Sequence, residues 1–130
     1  MLYIIVAPMA TIHPQNGHKL CDLRDAGVDW SELESELEKQ DEHWSWRQIG
    51  AVTTRGETWV RTGADAWDHA SHIVADGSIA MGNFMDGPGP VKAMAKALAD
   101  RAEELRTELA EETRCSEHLI AHLERNMEKL

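Results

Sequence analysis

Cys115, His118 and His122, near the C-terminal end of the chain, have the residue types and spacing of a metal site. On a helix, steps of three and four place all three on one face, and thiolate and imidazole are preferred zinc donors. Glu111, four residues before Cys115, is a candidate fourth ligand. The opposing view is a solvated stripe, because seven histidines in a polar chain produce such spacings by chance. The expectation is a protein without a cofactor, with zinc at Cys115, His118 and His122 as the exception to watch.

A second group comprises Asp65, Asp68, His69, His72 and Asp76. A carboxylate beside a histidine orients the imidazole and raises its pKa, and a metal-dependent hydrolase could use that. No nucleophile elbow, phosphate-binding glycine loop or His-Glu-x-x-His motif accompanies it. Helix caps and surface polarity account for the same residues. His13, His18 and Cys21 form a third group, where Cys21 reads more simply as a small buried hydrophobe. The fourth combines Trp44, Trp46, Trp59 and Trp67 with Arg47, Arg55 and Arg61. Arginine and tryptophan together suit phosphates and stacked bases. Trp46, Arg47, Arg55, Trp59 and Arg61 are therefore the candidate lining of a nucleotide pocket. The alternative is that the tryptophans form the core and the arginines face water.

Charge favours a different function. The net charge of −10 is concentrated, because residues 22–42 hold nine acids against Arg24 and Lys39. A sequence-independent nucleic-acid binder needs the opposite sign, since its affinity comes from neutralising phosphates. Docking on a basic protein surface, including one built to hold nucleic acid, is electrostatically sound. Glu32, Glu34, Glu36, Glu38, Asp41 and Glu42 are the candidate contact set.

The elements that must position these residues follow from pattern. Leu2–Val6 reads as a buried strand, and His13–His18 as a turn in which Asn16-Gly17 takes positive φ. A short helix over Lys19–Ala26 closes at Gly27. Asp29-Trp-Ser-Glu32 has the form of a capping box opening a helix to about Lys39, with Trp30, Leu33 and Leu37 along one stripe. Trp46–Thr54 and Glu57–Thr62 flank Arg55-Gly56 as an antiparallel hairpin. Asp65 is read as the cap of a short helix through Ala75 ended by Gly77, and Ser78–Met85 as a strand weakened by Gly82.

From Pro90 onward, Val91, Ala95, Leu98, Ala102, Leu105 and Leu109, then Leu119, Leu123 and Leu130, keep one heptad register. Glu112, Ser116 and Asn126 interrupt it. A helix of ~40 residues is about 60 Å long, against a radius of gyration of ~14 Å for a compact chain of this size. It must fold back near Thr113–Ser116 or bury its seam on a second copy, and a homo-oligomer is the favoured outcome. Val91, Leu98, Leu105, Leu109, Leu119 and Leu123 are the candidate seam.

The expected fold is α+β: a small antiparallel sheet packed by helices over residues 1–89, with residues 90–130 as a long amphipathic, coiled-coil-like helix or helical hairpin. No stretch has the ~20 apolar residues of a membrane span. The start lacks a basic region before its apolar run, which argues against a signal peptide. Two cysteines are too few for a disulfide framework and fit a reducing compartment, the cytoplasm. Pairing of Cys115 across a two-fold axis stays open.

The tract Asn83-Phe-Met-Asp-Gly-Pro-Gly-Pro-Val-Lys-Ala-Met94, running into a Leu-rich helix, is similar to the ends of phage early proteins. The whole layout, an acidic domain ending in a long helix, resembles small phage-encoded accessory proteins that act against host defences, anti-CRISPR proteins among them. That resemblance implies a non-enzymatic inhibitor in the host cytoplasm. Its carboxylates would stand where a CRISPR effector or other nucleic-acid-binding complex expects phosphates. The rival functions are an oligomeric nucleotide-sequestering protein and a small metal-dependent enzyme.

Overall fold

Proline fixes φ near the helical value and needs no N–H partner in a first turn. That is why Pro14 opens a helix where a turn is expected. The structure, a computed structural model, describes residues 13–127, so the strand expected over Leu2–Val6 lies outside the described residues, as does Leu130. Helix α1 runs Pro14–Asp25, with Asn16 and Gly17 buried inside it. It closes at Gly27, whose φ of 86° is the left-handed value expected of a glycine after a helix end. Helix α2, Trp30–Glu38, is capped by Asp29, whose carboxylate accepts from the Ser31 N–H at 2.9 Å. Its Leu33 and Leu37 are buried, as their stripe requires.

A short 3-10 turn, Trp44–Trp46, leads into β1, Gln48–Val52, which pairs antiparallel with β2, Thr58–Thr62. The hairpin expected around Arg55-Gly56 is present, and Gly56 takes φ 81° at its tip. A second hairpin joins β3, Ser71–Ala75, to β4, Ser78–Gly82, with Ala75 opposite Ser78. Residues 71–75 are thus a strand, where a helix from Asp65 to Ala75 is expected. Two features decide it. Ile73-Val74 is β-branched, and Asp76-Gly77 is a two-residue loop of the sort that favours tight hairpin turns. Gly77 has φ 67° there.

Among the described residues, each hairpin is a separate two-stranded sheet. Side chains connect them: Gln48 Nε2 donates to Ser71 O at 3.0 Å and Gly82 O at 3.1 Å, and Thr62 Oγ1 bonds His72 Nδ1 at 2.8 Å. The tips also meet, since a Cβ on Gly56 would lie 3.8 Å from Gly77 Cα. The main core lies between the first hairpin and the two short helices, built from Leu20, Leu33, Leu37, Trp44, Ile49 and Ala51, with Leu23, Trp30 and Trp59 against it.

Helix α3 is continuous from Gly89 to Met127, with no fold-back at Thr113–Ser116. The α+β class and the long C-terminal helix are as expected. The chain divides into two compact units, one ending at Lys96 and the other starting at Ala97. Val91, at the head of the expected seam, is buried in the first unit, where its Cγ2 would lie 2.9 Å from a Cβ on Gly82. It is therefore a core residue. Leu98, Leu105, Leu109, Leu119 and Leu123 are exposed on the helix, joined by Ile120 and Met127.

Candidate functional site

The acidic set divides once its geometry is seen. Asp41 is not a surface residue: its side chain is 2% exposed and that of Arg47 is 7% exposed. Its carboxylate accepts from Arg47 Nε at 2.7 Å, Arg47 Nη2 at 3.0 Å, Asn16 Nδ2 at 2.6 Å and the His43 N–H at 3.0 Å. The Arg47 hydrogen bonds, above all, hold this carboxyl well below the usual carboxylate range, against the opposing effect of burial. Asp41 thus leaves the partner-contact set and Arg47 leaves the pocket set, because each is the other's buried counter-ion.

Two further glutamates have cations at hand. Glu34 accepts from Arg61 Nε at 2.7 Å, and Glu36 pairs with Lys39 one turn on. Glu32, Glu38 and Glu42 are exposed. Glu42 has only the His43 ring at 3.6 Å, and Glu32 and Glu38 form no ion pair among the described residues.

The arginines of the expected nucleotide pocket do not converge. Arg61 lies over the Trp44 ring, 4.4 Å from its centroid, and donates to Trp44 O at 2.8 Å. Arg55 is exposed in the loop of the first hairpin. Trp59 stacks on Trp30 at 6.4 Å in the core region, as the core reading of the tryptophans requires. Trp46 instead stands outside that core. It meets Trp67 edge-on at 6.2 Å, and Trp67 meets Phe84 at 5.6 Å with planes 87° apart. Phe84 belongs to none of the sequence-derived groups. A single exposed phenylalanine has no periodicity to flag it.

The histidine groups separate in a similar way. His72 is on β3, its Nδ1 2.8 Å from Thr62 Oγ1 on β2, while His69 sits in the turn before β3 at φ 60°. His13 and His18 line a cleft of about 200 Å³ with Asn16, Lys19, Asp22 and Gln40. That is below the ~300 Å³ at which small-molecule pockets usually begin. Burial pushes the Cys21 thiol up, assisted by Asp25 and Asp22. On α3, Cys115 is an exposed free thiol and His122 Nε2 lies 3.0 Å from Asn126 Nδ2. Among the described residues, no three His, Cys, Asp or Glu side chains are placed to hold a metal ion.

The fold has a solved counterpart. The crystal structure of protein SPO2555 from Silicibacter pomeroyi, described as a DUF1028 protein, is similar over 69% of this chain, with a TM-score of 0.62 and 21% identity. The chain spans 42% of that protein's length. The family model of DUF1028, a family of unknown function, matches residues 3–124, and the chain belongs to that family. No curated protein matches it. This membership corrects the likeness to phage anti-defence proteins. The family model spans almost the whole chain and a solved member is bacterial, whereas the phage likeness rests on layout and one tract around Gly87-Pro-Gly-Pro90.

Proposed function

We propose that the protein is a non-enzymatic acidic binding protein that docks on a basic surface of a partner protein, of the kind that handles nucleic acid. The observation that carries this is the separation of faces on α2 and the turn after it. Leu33 and Leu37 enter the core, while Glu32, Glu38 and Glu42 remain exposed with no lysine or arginine partner among the described residues. Uncompensated carboxylates steer a cationic surface and speed its encounter, an effect that salt weakens. Direct binding of nucleic acid or an anionic membrane is disfavoured by the same charge, and no described helix is long and apolar enough to cross a membrane. The cytoplasm suits its two free cysteines.

The test is binding to immobilised polylysine with Glu32, Glu38 and Glu42 reversed together to lysine. Loss of at least about tenfold in affinity at low salt, with an unchanged melting temperature, is expected, since exposed contacts are worth up to ~1 kcal/mol each. Unchanged binding by the triple variant overturns the reading.

Self-association through α3 belongs to the same proposal. Leucines repeated in heptad register and left exposed on the helix are supported by a second copy with a matching seam. Glutamate at both Leu105 and Leu119 is expected to convert a dimer to a monomer in sedimentation velocity. A parent protein that sediments as a monomer at the highest soluble concentration would remove this part.

A further inference from the structure

The ring group outside the core has four properties that belong together. Trp46, Trp67 and Phe84 are 40%, 47% and 78% exposed, yet Trp67 meets both of the others edge-on, with planes 68° from Trp46 and 87° from Phe84. Large aromatic side chains normally bury their surface, and a contiguous exposed set is the usual mark of a binding site. The backbone that presents them is fixed. Gly63 N–H donates to Arg47 O at 2.8 Å, Asp65 N–H to Ser45 O at 2.9 Å and Ala70 N–H to Trp67 O at 2.9 Å, so the segments bearing Trp46 and Trp67 are joined. Phe84 follows Asn83, which is 1% exposed.

The same place carries strain. Among the described residues, the non-glycine positions with positive φ are His69 at 60° and Phe84 at 59°. A bulky residue in the left-handed region is strained, and such outliers concentrate at functional sites. One is the ring at the end of the group, and the other lies two residues from Trp67.

Charge selects the ligand. Residues 62–91 contain Asp65, Asp68, Asp76 and Asp86 and no lysine or arginine. Asp65 and Asp68 flank Trp67 in the chain, Asp86 follows Phe84 by two, and all three are exposed. Aromatic faces attract cations through their quadrupole, and neighbouring carboxylates add to that attraction. A planar guanidinium stacks on indole as well, is more weakly hydrated than an ammonium and pairs with carboxylates at its edge.

We propose that Trp46, Trp67 and Phe84 form a cation-accepting site for an arginine side chain of the partner protein. This rests on the reading of that partner as basic, and it moves the anchoring contact from α2 to the aromatic group. Interface energy usually concentrates in such preorganised aromatic anchors rather than in exposed ion pairs.

The probe is the peptide acetyl-Gly-Arg-Gly-Arg-Gly-amide, titrated at low salt while tryptophan fluorescence is followed, beside versions with lysine or the neutral isostere citrulline. The arginine peptide is expected to bind about tenfold more tightly than the citrulline one, as a desolvated cation–π contact implies. It is also expected to bind more tightly than the lysine one. Trp67→Ala and Phe84→Asn should each weaken it by a similar factor. Asparagine tolerates the left-handed region, so Phe84→Asn should melt no lower than the parent, separating lost binding from lost folding. Equal binding of the arginine and citrulline peptides overturns the proposal, as does full binding by Phe84→Asn. Dimer dissociation caused by Phe84→Asn, without peptide binding in the parent, assigns the patch to a second copy and also overturns it. The lysine reversal at Glu32, Glu38 and Glu42 separates the two ideas. Peptide binding kept there and lost in Phe84→Asn supports the aromatic site, while the polylysine experiment alone decides the α2 contact set.

Discussion

An Asp41→Ala variant is expected to lose about 3–5 kcal/mol of folding stability, because it removes a buried carboxylate that accepts from Arg47 Nε and Nη2, Asn16 Nδ2 and the His43 N–H. Domains of this size have only ~5–15 kcal/mol in all, so urea unfolding followed by tryptophan fluorescence should show a midpoint shifted far down. Asn16 loses its acceptor in the same change, which adds to the cost. An Asp41→Leu, Arg47→Met double variant should recover much of the loss, since apolar replacements leave no buried charge behind. A single variant as stable as the parent would show that the pair is solvated.

The same pair sets an acid dependence. Its folded carboxyl is held below the ordinary range, principally by Arg47, so folding favours the ionised form. The stabilisation is complete above the unfolded pKa of about 4 and declines as pH falls from there toward the folded value. The parent's urea midpoint should therefore fall below about pH 4. In Asp41→Asn that part of the fall should be missing.

Gly63→Ala is expected to be the most damaging single-methyl change, at about 3 kcal/mol. Its Cβ would lie 2.6 Å from the Ser45 carbonyl carbon, and backbone cannot swing aside as a side chain can. Relief would break the Gly63 and Asp65 hydrogen bonds to Arg47 O and Ser45 O. Gly27→Ala is the informative contrast. It has positive φ but nothing within 4 Å of the new methyl, so it should cost only ~1–2 kcal/mol. Thermal melts of the two side by side distinguish lack of space from conformational strain.

Periodic features of the fold were legible in the sequence. The Leu33–Leu37 stripe, the hairpin around Arg55-Gly56 and the long helix all repeat a side-chain pattern often enough to outweigh chance. Single-residue signals mislead where two of them compete. Asn16-Gly17 suggested a turn although Pro14 marks a helix start, and the Asp and His residues at 65–72 suggested a helix although Asp76-Gly77 marks a hairpin. The candidate sites were less legible because they depend on contacts across elements. Asp41 and Arg47 are six apart, a spacing that no regular element brings face to face, and nothing local distinguishes Asp41 from its acidic neighbours. Phe84 gains its meaning from Trp67, seventeen residues earlier, and from a backbone angle that sequence does not display.

Among the described residues, each β-hairpin pairs only within itself, and Gln48 and Thr62 reach across with side chains alone. Such a joint responds to mutation differently from a continuous sheet. Substitution at the junction retunes how the hairpins meet without disturbing either register, whereas a shared ladder would force both to change at once. That junction lies at the base of the loop that carries Trp67, so a change in how the hairpins meet would be passed to the ring it presents.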